Sequence, residues 1–162
     1  MWKQQEMEIP YIKKSKLRKK LIDFLAVRDF QFGVTLAFNN PHRTYLGGLR
    51  RLKGWDAKIN RRLLGSAWSR KPKESRIFFL AFPEYGKSDD NLHYHLAVSI
   101  PQRLQDFPEV AKQAWKQLEA AGDADIKTLK SKLDLRRWLK YITKEYNANM
   151  DYYILSTEFI KE

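Results

Sequence analysis

Two of the three histidines in this chain of 162 residues are His93 and His95, in the run Leu92-His93-Tyr94-His95-Leu96-Ala97-Val98. The run alternates in the manner of a half-buried strand. Successive side chains on a strand point to opposite faces, so Leu92, Tyr94, Leu96 and Val98 face a core. His93 and His95 then project together from the other face, with small Ala97 and Ser99 beyond them. Two imidazoles placed this way can converge on one cation. Glu84 lies nine residues before His93 and is expected in the turn Pro83 to Asn91. If strands 76–82 and 92–100 pair as a hairpin, its carboxylate approaches the start of the second strand; Asp89 and Asp90 are rival ligands. Two His and a carboxylate without Cys suit a hard to borderline divalent ion with open positions, Mg²⁺, Mn²⁺ or Zn²⁺. A structural zinc site would be closed by four protein ligands. Taken singly, His-x-His and a turn glutamate are common surface features.

A second reactive group lies near the C-terminal end. Residues 134–147 read as a helix with Asp134 as N-cap. With Leu135 set to zero, Leu139 falls at about 40° and Ile142 at about 340°, and Trp138 at about 300°, which defines a buried stripe. Tyr146, at about 20°, lies inside that stripe, whereas Tyr141, at about 240°, lies at its margin. Arg137 and Lys144 fall on the same side as Tyr141. A phenol ionises near pH 10, so it is a poor nucleophile unless cations favour the phenolate. Alone, a margin Tyr is an ordinary amphipathic residue.

The elements that must position these groups follow from periodicity. Residues 15–29 read as a helix. Residues 31–38 read as a strand with Phe32, Val34, Leu36 and Phe38 on one face, ended by Asn39-Asn40-Pro41. Residues 45–64 read as a basic helix with Leu49, Leu52, Ile59 and Leu63 inward, although Gly47, Gly48 and Gly54 weaken it. A loop over 65–75 precedes the hairpin. A helix over 108–121 is expected to stop at Gly122, followed by a short strand at Ile126 to Leu129, the tyrosine helix and a last strand at Tyr152 to Thr157. Hairpin strands interrupted by helices predict an α+β protein: a small antiparallel sheet flanked by helices.

Charge narrows the partners. The chain carries 31 Lys plus Arg against 19 Asp plus Glu, a net charge of +12, and 43% of its residues are apolar. That is enough to bury a core, and so basic a domain suits a polyanion. No stretch approaches the roughly 20 apolar residues that span a bilayer. The basic N-terminus lacks the apolar run of a secretory signal, so a cytoplasmic location without membrane contact is expected. The length suits one domain over 1–162, with a basic helical extension over 1–30 and a core over 31–157. Residues 43–76 hold eleven Lys or Arg against Asp56 and Glu74, a net of +9.

The order of these pieces resembles the HUH endonuclease superfamily, specifically its Rep-type rolling-circle replication initiators. Val34-Thr35-Leu36-Ala37-Phe38-Asn39 is similar to the family's first motif, with Ala37 in place of a second hydroxyl residue. His93-Tyr94-His95 is similar to the second, and Tyr141-x-x-Lys144 to the third; Glu84 stands where many members have an upstream acidic ligand. The resemblance covers about residues 30–147. It implies a ferredoxin-like or RRM-like fold and divalent-metal-dependent cleavage of single-stranded DNA by transesterification. Glu84, His93 and His95 would hold Mg²⁺ or Mn²⁺, and Tyr141 would attack the scissile phosphate with Lys144 assisting. The products would be a 5′-phosphotyrosine and a free 3′-hydroxyl, initiating rolling-circle replication of a plasmid or virus. A single-tyrosine enzyme is expected, and no phosphate loop of an appended helicase is present.

Under this reading Asn39, Arg43, Arg50, Arg51, Lys53, Lys58, Arg61, Arg62, Arg70, Lys71 and Lys73 contact the phosphates of single-stranded or hairpin DNA. Trp55 and Trp68 are either base-stacking or core residues. Partners would include a helicase and a polymerase from the host or the element, with the enzyme a monomer or weak oligomer. The rival readings are a transposase of the same superfamily and a non-catalytic RRM-like nucleic-acid-binding module.

Overall fold

The computed structural model describes residues 14–86, 91–101, 106–144 and 153–160. In chain order the elements are α1 (Lys14–Ala26), β1 (Phe32–Ala37), α2 (Tyr45–Leu64), β2 (Phe78–Tyr85), β3 (Leu92–Ser99), α3 (Phe107–Leu118), β4 (Asp123–Thr128), α4 (Lys132–Ile142) and β5 (Ile154–Leu155). Short 3-10 turns cover Trp68–Arg70, Lys73–Ser75 and Ser156–Phe159. The sequence of helices and strands is the expected one.

The five strands form one open sheet in the order β4-β1-β3-β2-β5, with every neighbouring pair antiparallel. The stretch from β1 to β4 is the ferredoxin-like βαββαβ arrangement. On one face, Val34, Leu36 and Phe38 of the first strand and Leu92, Tyr94, Leu96 and Val98 of β3 pack against Leu52, Trp55 and Ile59 of α2 and Ala111 and Trp115 of α3. On the other face, Leu80, Phe82 and Ala97 pack against Ile22, Leu25 and Ala26 of α1 and Leu135, Trp138, Leu139 and Ile142 of α4. The alternation read in β1 and β3 thus separates two cores, one on each side of the sheet.

Several boundaries differ from expectation, for physical reasons. Strand β2 runs through Pro83 and Glu84 to Tyr85, so Glu84 lies on a strand and not in a turn. Pro83 reads as a turn signal, but β2 is the strand next to the sheet edge, and among the described residues β5 pairs it at Leu80 and Ala81 and not at Pro83. Helix α4 begins earlier than expected: Ser131 is the N-cap and its side chain accepts from the Asp134 backbone N–H. Asp134 instead sits in the first turn and its carboxylate accepts from the N–H of Lys130, the residue before the cap. Helix α3 stops at Leu118 with the Glu119 N–H bonded to the Trp115 carbonyl, so Gly122 is not its terminator. Helix α2 keeps its full length despite three glycines because Thr44 caps it, accepting from the Gly47 N–H at 3.1 Å, and because its apolar stripe is buried. Among the described residues no helix is long and apolar enough to cross a membrane. Asp89, Asp90, Tyr146 and Tyr152 lie outside the described residues.

Candidate metal centre and the tyrosine beside it

Strand register brings the site together. Glu84 of β2 is directly opposite His93 of β3, and Thr35 of β1 is directly opposite His95. Directly opposed side chains on one face stand about 5 Å apart at Cβ, close enough for their heads to meet. His93 and His95 leave β3 on the face of α4, with ring centroids 4.8 Å apart. Nε2 of His95 lies 3.1 Å from Oε2 of Glu84, and Nε2 of His93 lies 3.6 Å from its Oε1. One ligand atom from each of the three residues lies within 4.8 Å of the other two.

The outer nitrogens explain the orientation of the rings. Nδ1 of His93 is 3.1 Å from the Asn91 carbonyl, which can only accept, so this nitrogen carries a proton and Nε2 is the ring atom turned toward Glu84. Nδ1 of His95 is 3.0 Å from the Thr35 hydroxyl. The His95 side chain is 2% exposed, yet its Nε2 has no aligned hydrogen bond despite the nearby carboxylate. A buried nitrogen facing a carboxylate without an aligned hydrogen bond is open to a further ligand. Two imidazoles and a carboxylate facing one another form a donor set that fits a divalent ion with open coordination positions. Glu84, His93 and His95 can therefore hold a metal ion.

The electrostatics agree. Burial, then His93 and Lys144, push His95 down to about 4 against the pull of Glu84, so this imidazole is neutral and able to coordinate at physiological pH. Burial alone would raise the Glu84 carboxyl, but the Lys144 hydrogen bond and the positive charge around it hold it below its ordinary value. Lys144 Nζ is 2.8 Å from Oε1 of Glu84 and 4.6 Å from the centre of the Tyr141 ring, so it joins the carboxylate to the phenol-bearing residue.

Tyr141 is at the margin of the buried stripe, as its helical angle predicts. Its ring centroid is 5.0 Å from that of His95 and 5.5 Å from that of Trp138, while the residue remains 46% exposed. Trp138 is anchored by its indole N–H, which donates to the Leu96 carbonyl at 2.9 Å. Helix α1 holds the other side of α4. Arg18 Nε donates to the Thr143 hydroxyl at 3.2 Å, and its guanidinium also reaches the Lys140 carbonyl. In the sequence Arg18 belongs only to the basic helical extension over 1–30. The contact to a residue 125 positions away has no local signal.

The basic segment divides into parts. Arg43 pairs with buried Glu119 at 2.6 Å, and Arg51 Nε is 3.7 Å from the same carboxylate. Lys58 donates to Gln117 at 2.9 Å, and Arg62 is 3.6 Å from Asp106. Arg50, Lys53, Arg61, Arg70, Lys71 and Lys73 are exposed. Helix α2 packs on the sheet face opposite the histidines, so these cations and the candidate metal centre lie on different faces. Asn39 donates to Asp123 at 2.7 Å and to the Ala121 carbonyl at 3.0 Å, with a left-handed φ of 52° that Asn tolerates. Trp55 is core, its indole N–H bonded to the Ala111 carbonyl. Trp68 is half-buried beneath the Arg76 guanidinium, 5.4 Å from its ring centre. Neither a protein-family model, nor a curated protein, nor a solved structure matches this chain.

Proposed function

We propose that the protein is a divalent-metal-dependent enzyme that nicks and rejoins single-stranded DNA through a covalent link to Tyr141. One observation carries the reading: the ring nitrogens of His93 and His95 and the Glu84 carboxylate converge beside the Tyr141 ring, with Lys144 touching both carboxylate and ring. A bound Mg²⁺ or Mn²⁺ would supply Lewis-acid stabilisation of charge on the phosphate oxygens. Tyr141 Oη forms a bond to phosphorus as the bond from phosphorus to O3′ breaks. The phenol loses a proton and O3′ gains one. The exchange of one phosphoester for another needs no oxidant and no nucleotide, and it is reversible. Lys144, which lies over the Tyr141 ring and against Glu84, orients the phosphate. The exposed cations of α2 and its following turns suit phosphate contacts with another part of the same DNA, held on the far side of the sheet.

The deciding experiment incubates the protein with single-stranded oligonucleotides and Mn²⁺ and resolves products under denaturing conditions. A protein–DNA adduct and a shortened strand with a 3′-hydroxyl are expected. Binding without cleavage, across oligonucleotides of varied sequence and hairpin content, would favour a non-catalytic nucleic-acid-binding module.

A further inference from the structure

We propose that Thr35 is a positioning residue of the metal centre: its hydroxyl accepts the Nδ1–H of His95 and so holds Nε2 of that ring toward the ion. The inference rests on the reading of Glu84, His93 and His95 as ligands.

The two histidines are supported by different kinds of group. His93 donates to a backbone carbonyl, an acceptor that no substitution at Asn91 removes. His95 relies on a side chain, the Thr35 hydroxyl at 3.0 Å. Position 35 is set by the sheet, since β1 is flanked by β3 and β4 and Thr35 lies opposite both His95 and Asp125. The side chain is β-branched and stiff at χ1, which keeps the hydroxyl in one place. His95 is buried beneath Tyr141 and Trp138, so water is a poor substitute for that partner. A hydroxyl also does what a carbonyl cannot, because it can accept or donate. With the ion bound, Thr35 accepts from Nδ1–H and leaves Nε2 free to coordinate. Without it, Thr35 can donate to Nδ1 while Nε2–H turns to Glu84. The buried imidazole thus keeps a partner in both states. Ligating histidines generally donate their second N–H to such a group, and loss of that group weakens metal binding about 10- to 100-fold.

The test measures Mn²⁺ binding by calorimetry on the wild type, Thr35→Val, Thr35→Ser and His95→Ala, with circular dichroism as a check of folding. Thr35→Val keeps the shape and removes the hydroxyl. We expect its Mn²⁺ dissociation constant to rise about 10- to 100-fold, with Thr35→Ser restoring affinity to within about threefold of wild type. Long-range ¹H–¹⁵N spectra of the Zn²⁺-loaded wild type supply a readout that needs no variant: the His95 proton should reside on Nδ1, with Nε2 ligated. Wild-type affinity in Thr35→Val, alongside lost affinity in His95→Ala, would overturn the role of Thr35 and leave the metal centre standing. A loaded His95 with its proton on Nε2 would also overturn it. No Mn²⁺ binding by the wild type would overturn the metal centre itself.

Discussion

A Cβ added to Gly33 would lie 2.6 Å from Cε2 of Trp138, so the bare backbone of β1 sets how closely α4 approaches the sheet. That approach matters beyond packing. Trp138 lies against both His95 and Tyr141, and it carries the tyrosine toward the candidate metal centre. Gly33→Ala should therefore lift α4. Overpacking of this kind costs about 1–3 kcal/mol, and the displaced Tyr141 should reduce adduct formation more than stability alone explains. Denaturant midpoints and adduct yields measured below the unfolding transition check both parts. Wild-type stability in Gly33→Ala would show that the Trp138 ring yields without cost.

Arg18 should act on the same helix from its far end. It satisfies the Lys140 carbonyl and the Thr143 hydroxyl at the C-terminus of α4, where main-chain acceptors lack helical partners. Arg18→Ala should destabilise the fold by about 1 kcal/mol and speed amide exchange over residues 141–143 relative to the α2 amides. Uniform exchange across both helices would mean that α1 contributes only bulk packing.

The fold was largely legible because its two periodicities are strong. The alternating runs of β1 and β3 were read onto the correct faces, and the span of α2 was read to its ends. The local signals that misled were genuine but outvoted. Pro83 marks a turn in most sequences, yet β2 continues through it, paired with β3, which is what brings Glu84 opposite His93. Ser131 and Asp134 are both acceptable N-caps, and only the hydrogen bonds distinguish them. The candidate site was visible as His93, His95, Glu84, Tyr141 and Lys144 because their spacing carries chemistry. Thr35 was visible only as a motif residue, since its contact depends on the register of two strands 60 positions apart. The face on which α2 packs is likewise a property of topology, and charge counting could not place the basic segment relative to the histidines.

Asp56 provides a pH dependence separate from the metal centre. Burial pushes its carboxyl up to about 7, against the lowering effects of the Asn60 hydrogen bond and of Arg76. The folded state thus holds this proton more tightly than the unfolded chain. The resulting stabilisation is complete below about pH 4, the ordinary carboxyl range, and is lost as pH rises through about 7. Asp56→Asn removes the ionisation and keeps an acceptor for Asn60. It should stabilise the protein more at pH 8 than at pH 5, with a difference on the order of 1–3 kcal/mol. Equal effects in thermal melts at the two pH values would place the proton elsewhere.

The basic segment should show its division in salt titrations. For single-stranded DNA the slope of log affinity against log salt is about −0.7 per neutralised phosphate contact. Charge reversal at Arg50, Lys53 and Arg61, which are exposed, should flatten that slope. Neutralising Arg51 should change it less, because Glu119 already lies beside it. A slope unmoved by the triple reversal would assign the phosphate contacts to another face.

Tyr141 should be the sole residue linked to DNA. Exposure does not single it out, since Tyr141 is 46% exposed, Tyr85 is 44% and Tyr153 is 40%. Position does. Tyr85 follows Glu84 on β2, and adjacent strand residues point to opposite faces, so the Tyr85 ring leaves the sheet away from the histidines. Tyr141 lies on the same face as His93 and His95, against the His95 ring and beneath Lys144. Tyr141→Phe deletes one oxygen and keeps the ring that packs against His95, Trp138 and Lys144. Stability and Mn²⁺ affinity should stay near wild type while both the nick and the adduct disappear. Tyr85→Phe and Tyr146→Phe should retain both. Mass spectrometry of the trapped peptide decides among them. An adduct on any tyrosine but Tyr141 would refute the assignment, as would a Tyr141→Phe variant that still cleaves at the wild-type rate, because strand scission would then proceed by hydrolysis without a protein nucleophile.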